Sequence, residues 1–242
     1  VQFAEIGAPD GTFDAAEMEA ASLPLDRNLP RTRLVAIENT HNRGGGRIWP
    51  RAAVAEIAAR ARARGLALHL DGARIWNAAV ASGVPERELA APFDTVSACF
   101  SKGLGAPVGS VIAGAAEAID RARRFRKMLG GGMRQVGILC AAALYALEHH
   151  RARLADDHAN ARRLAEALAR TDGLRLDPAR VETNIVIFEV APIPAEELSR
   201  RLAAAGVRIA PIAPHRLRAV THLDIDAAGI ERAVEAIRTA LA

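Results

Sequence analysis

Cysteine, aromatic residues and long apolar runs are scarce in this chain, and each scarcity excludes something. Cys99 and Cys140 are its only cysteines and form no Cys-x-x-Cys spacing, so neither a disulfide framework nor a zinc site is indicated. Both read as core residues of a protein in a reducing cytosol. No apolar stretch is long enough to span a bilayer as a helix, and no succession of basic, apolar and small residues marks a signal peptide. The expected location is the cytoplasm, away from membranes. Aromatics make up 4% of the 242 residues. The formal charge of +4 and sequence pI near 9.8 raise the question of nucleic acid. The arginines between Arg51 and Arg64 and between Arg151 and Arg170, however, are interleaved with alanines and acids along helical stretches instead of gathering with aromatics. They read as solvated helix faces, and no nucleic-acid partner is expected.

The rest of the composition, 50% hydrophobic and 25% charged, suffices for the core of one or two globular domains. Strand-like runs at Leu34–Ile37, Leu66–Leu70, Thr95–Phe100 and Val108–Ala113 alternate with helical pattern such as Ala52–Arg64. That order predicts an α/β fold with a mostly parallel sheet and helices on both faces. After Gly130-Gly-Gly132 the pattern changes. A long helical stretch from Val136 to Arg170, interrupted near His150, leads to strands at Leu174–Leu176, Thr183–Val190 and Leu217–Leu223 and helices at Ala195–Ala205 and Ala227–Leu241. The expected division is a large domain over 1–150 and a small α+β C-terminal domain over 151–242.

Two strand ends carry the chemistry. Ser101-Lys-Gly-Leu-Gly-Ala-Pro-Val-Gly-Ser110 places Lys102 after an apolar strand and among glycines that let backbone approach a ligand closely. A lysine partly withdrawn from water loses proton affinity and becomes a nucleophilic amine; the plain alternative is a glycine-rich loop with a solvated lysine. Leu66-Ala-Leu-His-Leu70 ends in Asp71-Gly-Ala-Arg74. A carboxylate there can keep a pyridoxal ring nitrogen protonated, and the planar fork of Arg74 matches an amino-acid carboxylate. Alternatively, Asp71 caps the following helix and Arg74 makes a surface ion pair.

These residues fall within five motifs in order: Glu38-Asn-Thr-His-Asn42, His69-Leu-Asp-Gly-Ala-Arg74, Ser101 to Ser110, Arg126-Lys-Met-Leu-Gly-Gly-Gly-Met-Arg-Gln135 and Val220-Thr-His-Leu-Asp224. Together they resemble the low-specificity L-threonine aldolase family over essentially the whole chain. The resemblance implies a pyridoxal 5'-phosphate (PLP)-dependent, transferase-like large domain of the aspartate-aminotransferase fold. It also implies dimers or tetramers with shared active sites, and cleavage of L-threonine or L-allo-threonine to glycine and acetaldehyde. Carried over by motif, it makes Lys102 the Schiff-base lysine, Asp71 the partner of the pyridinium nitrogen, and Arg74 and Arg218 ligands of the substrate carboxylate. It makes Lys127 and Arg134 contacts to a cofactor phosphate in a neighbouring subunit; the plain reading of Lys127 is a basic helix end.

The chain also departs from the family. It opens on Val1 and shows no counterpart of the family's N-terminal segment, which carries a ring-stacking histidine and a phosphate cradle, so an N-terminally truncated chain is expected. Asn28 stands where some members carry a second active-site histidine. His41, at a strand edge, is the candidate base for the β-hydroxyl proton, with fixing of its loop as the other reading; His69 reads either as a satisfied core histidine or as lying under the ring, and His222, near Arg218, has the same two readings. The competing functional readings are a β-eliminating lyase of the same fold and a catalytically incompetent fragment.

Overall fold

Leu66, Leu68 and Leu70 alternate with Ala67 and His69, which is the pattern of a strand with one apolar face. The computed structural model, which describes residues 2–8, 10–24 and 26–242, contains such a strand and builds two sheets. The elements in order are α1 (Ala15–Ala21), β1 (Leu34–Glu38), α2 (Arg51–Ala63), β2 (Ala67–Asp71), α3 (Ile75–Ser82), α4 (Glu86–Ala90), β3 (Thr95–Cys99), β4 (Ser110–Gly114), α5 (Ala116–Met128), α6 (Gly137–His149), α7 (Leu154–Leu168), β5 (Leu174–Arg175), β6 (Ile185–Val190), α8 (Ala195–Ala204), β7 (Ala210–Ala213), β8 (Arg216–Val220) and α9 (Ala227–Leu241). The first sheet runs β1-β2-β3-β4 and the second β5-β6-β8-β7. In the first, β1, β2 and β3 are parallel and β4 joins β3 antiparallel, so the sheet is mostly parallel. The second is antiparallel throughout.

Burial corrects one expectation. On the first sheet Val35, Ile37, Leu68 and Leu70 pack with Ile57 and Ala61 of α2 and Ala78 of α3 into one core, whereas Ala36 and Ala67 on the opposite face are exposed. Helices therefore cover one face, not both. Of β3 only Ala98 is buried, every residue of β4 is exposed, and α5 buries no residue. Parallel strands covered on both faces are apolar at every position; β2 and β3 alternate in polarity instead, whereas β1 is apolar from Leu34 to Ile37.

Local chemistry sets the helix ends. Asp14 and Glu17 form a reciprocal capping box, with Asp14 Oδ1 accepting from the Glu17 N–H and Glu17 Oε2 from the Asp14 N–H, both at 2.8 Å. Helix α7 joins the two halves. Its Leu154 packs with Leu104 and Ala106, while its Ala161, Leu164 and Leu168 enter the second core with Phe188, Leu198 and Leu217.

Between those contacts His158 of α7 is buried, with Nε2 3.0 Å from Asn77 Nδ2 on α3. Burial, aided by the Arg162 charge, pulls its imidazole down to about 4. Between that value and the unfolded 6.5 the unfolded chain binds the extra proton, so stability rises with pH. The contribution is complete above the unfolded value and is lost as pH falls toward the folded one, a swing of roughly 3 kcal/mol. His158→Gln, which preserves a partner for Asn77, is expected to flatten the dependence of denaturant midpoint on pH across this window. An unchanged slope would assign the acid sensitivity to other groups.

Candidate active site at the carboxyl edge of the first sheet

Because β1, β2 and β3 run in parallel, their carboxyl ends arrive at one edge. Glu38 lies opposite Asp71, and Asp71 opposite Ser97. Open α/β sheets place ligands at such edges. Asp71 is half-buried, and its Oδ1 accepts from the Ala73 N–H at 3.0 Å. Gly72 donates its N–H to Ser97 O at 2.8 Å, and a Cβ at Gly72 would meet that same oxygen at 2.8 Å. Glycine is thus required for the turn to hug β3. The turn delivers Arg74 to the N-terminus of α3, where its Nη1 is buried without a hydrogen-bond partner.

Arg218 reaches the same place from β8 of the second sheet. Its Nη1 donates to Asn42 Oδ1 at 2.8 Å, and its Nε is buried and unpartnered. Burial, and next the Arg218 charge, lower the proton affinity of the Arg74 guanidinium, against opposing contributions from Glu38, Cys99 and Asp71. Each of the two guanidiniums thus keeps a buried donor without an acceptor, and their planar forks have the geometry that a carboxylate can meet.

His41 is held on every side. Its Nδ1 accepts from the Gly44 N–H at 2.9 Å, its Nε2 lies 3.6 Å from Glu38 Oε2, and the Gly11 backbone packs so closely on the ring that a Cβ there would overlap it. With Nδ1 accepting, the neutral ring carries its proton on Nε2, toward Glu38. His69 lies on the open face of β2, with Nδ1 2.8 Å from Thr95 Oγ1 and its proton affinity lowered by burial. His222 is largely exposed beside Asp224, 3.6 Å away, and Asn28 lies in an exposed turn.

Lys102 follows β3 at the same edge but is exposed. This corrects the expectation that it is withdrawn from water. In its turn only Gly103, Leu104 and Ala106 face inward, and the strand that follows is exposed throughout. The backbone of the turn is nonetheless fixed: His150 Nδ1 lies 2.7 Å from Leu104 O, and a Cβ on Gly103 would press into Leu154 at 2.7 Å. Lys127, near the end of α5, and Arg134 in the following loop are also exposed. The structure therefore gathers Asp71, Arg74, Arg218 and His41 around one edge and sets Lys102 just after β3 at that edge, while Lys127 and Arg134 lie exposed on α5 and in the loop after it. Sequence reading gave no role to Asn42 or Glu38, which hold Arg218 and His41; the sole signal was their place in the Glu38 to Asn42 motif.

Fold and site together give a two-sheet α/β protein with two unpartnered buried guanidinium atoms and an exposed lysine beside the carboxyl ends of parallel strands. Residues 1–191 match the model of the beta-eliminating lyase family, and the chain belongs to that family. It is 44% identical over 220 residues to the low specificity L-threonine aldolase of Escherichia coli K12, covering 90% of this chain and 63% of the relative. It is 40% identical over 237 residues to low-specificity L-threonine aldolase 1 of Arabidopsis thaliana, covering 96% and 66%. The chain thus spans somewhat less than two thirds of the length of these relatives. The solved threonine aldolase of Leishmania major superposes with a TM-score of 0.78 at 19% identity, covering 97% of this chain and 69% of that one, and so shares the fold.

Removing one of two crowded buried cations relieves repulsion and an unpaired donor. Arg74→Met is therefore expected to stabilise the ligand-free chain by about 1–3 kcal/mol while abolishing any rise in melting temperature on adding an amino-acid carboxylate. A destabilised variant would show that Arg74 is already satisfied without a ligand.

Proposed function

We propose that this chain acts as a PLP-dependent aldolase that cleaves L-threonine, L-allo-threonine and related β-hydroxy amino acids to glycine and an aldehyde, in the cytoplasm. The observation that carries this reading is the pair of unpartnered buried guanidinium atoms, Arg74 Nη1 and Arg218 Nε, beside the strand-end carboxylate Asp71. The named activities of the relatives support it.

The donor set fits the cofactor. Asp71, at a strand end, would be the carboxylate partner of a protonated ring nitrogen, Lys102 would supply a primary amine for an aldehyde, and the two arginines would take a substrate carboxylate. When bound, the cofactor supplies an electron sink for the pair left on Cα as the Cα–Cβ bond breaks. Arg74 and Arg218 would fix the carboxylate and so the rotation about Cα. Asn42 holds Arg218 in that pose. The proton-handling pair is His41 and Glu38, the ring presenting Nε2 to the carboxylate at 3.6 Å, with Glu38 Oε1 fixed by the Asn42 N–H at 3.1 Å.

We further propose residues 1–150 and 151–242 as the two domains, and self-association through the face formed by α5, α6 and the loop between them. Met128, Leu129, Ile138 and Tyr145 there are 57–86% exposed, a cluster of the kind that marks an interface. Lys127 and Arg134 share that face, so they would serve the phosphate of a neighbouring copy.

Acetaldehyde release from L-threonine and L-allo-threonine, measured on the product of the complete open reading frame, tests the reading. Release should vanish in Lys102→Ala together with the protein's yellow colour. A yellow protein that forms ammonia and an oxo acid but no aldehyde would replace the aldolase with an eliminating lyase.

His41→Asn is expected to lower kcat by roughly 100-fold at unchanged melting temperature and KM. A variant that instead melts earlier and keeps its kcat would make His41 a loop anchor.

A further inference from the structure

A second cluster of unpaired guanidiniums lies outside this site. Strands β5, β6 and β8 set Arg175, Glu189 and Arg216 opposite one another in one row. The sheet face here, the loop at Arg43 to Gly45 and the side chains of Asp177 and Arg180 border a half-open cleft of about 400 Å³, within the range of small-molecule sites. Arg43, Arg175, Arg180 and Arg216 line it over the apolar side chains of Ile185 and Ile187.

Of the four arginines only Arg180 has an ion pair, with Asp10 at 3.7 Å. Among the described residues Arg43, Arg175 and Arg216 have none, although Glu189 sits between the last two in the row. Arg216 Nε is moreover buried with no hydrogen-bond partner, an arrangement that costs free energy unless an acceptor arrives. The other two carboxylates in the lining are committed locally. Asp10 Oδ1 accepts from the Thr12 N–H and hydroxyl, and Asp177 Oδ1 from the Ala179 N–H.

Four guanidiniums against three carboxylates leave a single positive charge, which matches a monoanion and not a polyphosphate. The isoleucine floor matches an apolar body. We propose that this cleft is a second ligand site that binds a small monocarboxylate with an apolar body, separate from the Arg74–Arg218 receptor. Arg218 lies two residues from Arg216 on the same face of β8, about 7 Å along the strand, but does not line the cavity, and its Nη1 is directed to Asn42.

Titration calorimetry of the chain with phenylacetate, and with phenylacetamide as the uncharged isostere, tests the site. Phenylacetate should bind, the amide about tenfold or more weaker, and Arg216→Met and Arg175→Met should each weaken phenylacetate by about tenfold or more, while Arg74→Met leaves it unchanged. Arg43→Met, on a surface loop, provides the same readout should the sheet variants lose their native circular dichroism. Absent binding, equal affinity for the amide, or loss in Arg74→Met with retention in Arg216→Met would each overturn the proposal, the last by placing the probe in the first receptor.

Discussion

The relative placement of the two sheets depends on the hydrogen bonds of the strap between β1 and α2. Asn42 Oδ1 accepts from Arg218, Gly46 O accepts from the Thr183 hydroxyl at 2.8 Å, and Glu182 takes both the Ile48 N–H and Arg47 Nη1 at 2.7 Å. Trp49 Nε1 donates back to Glu38 O at 3.0 Å, which ties the far end of the strap to the last residue of β1. One eight-residue stretch thus joins strand-end chemistry on the first sheet to an arginine on the second. Trp49 of the strap is itself buried in the first core, so a slip in it would both separate Arg218 from Arg74 and disturb that core.

The same strap explains how two like charges persist side by side. Buried guanidiniums without acceptors are unfavourable, and nothing in the pair itself holds them together. Asn42 anchors one, while the Asp71-Gly-Ala turn, bonded to β3 through Gly72, anchors the other. The folding energy of two well-packed sheets therefore offsets the cost of the unpartnered pair. Under the proposed function, a substrate carboxylate would meet donors already oriented and desolvated, which is the condition under which charge-assisted hydrogen bonds are strongest.

How much of this was legible follows from sequence distance. Asp71, Gly72 and Arg74 are consecutive with a strand, so their turn and its chemistry could be read locally. Strands β1 and β2 fell within a residue of their expected bounds, and α9 spans Ala227–Leu241 as read, because each has a clean period. Helix α3, Ile75–Ser82, is mostly small and apolar and gives no helical stripe, so it was anticipated only as a helix that Asp71 could cap; β7, Ala210–Ala213, contains Pro211, is wholly exposed and was not foreseen. Proline is tolerated there because β7 is an edge strand. The Asn42–Arg218 bond joins residues 176 apart, and no local pattern announces it.

The exposure of Lys102 was misread for a related reason. Glycine and apolar neighbours imply close packing of backbone, which the structure provides at Gly103, Leu104 and Ala106, but they do not say on which side of the turn the intervening side chain emerges. Here the turn is pinned from beneath by His150 and Leu154, so the backbone is rigid while the amine stands clear of it. A fixed backbone carrying a solvated amine is compatible with the Schiff-base role proposed for Lys102. Under that proposal, withdrawal of the amine from water would fall to the bound cofactor and substrate, since β4 is exposed throughout and does not cover it. On that reading the reactivity of the lysine would follow from what the site holds and not from the strand that carries it.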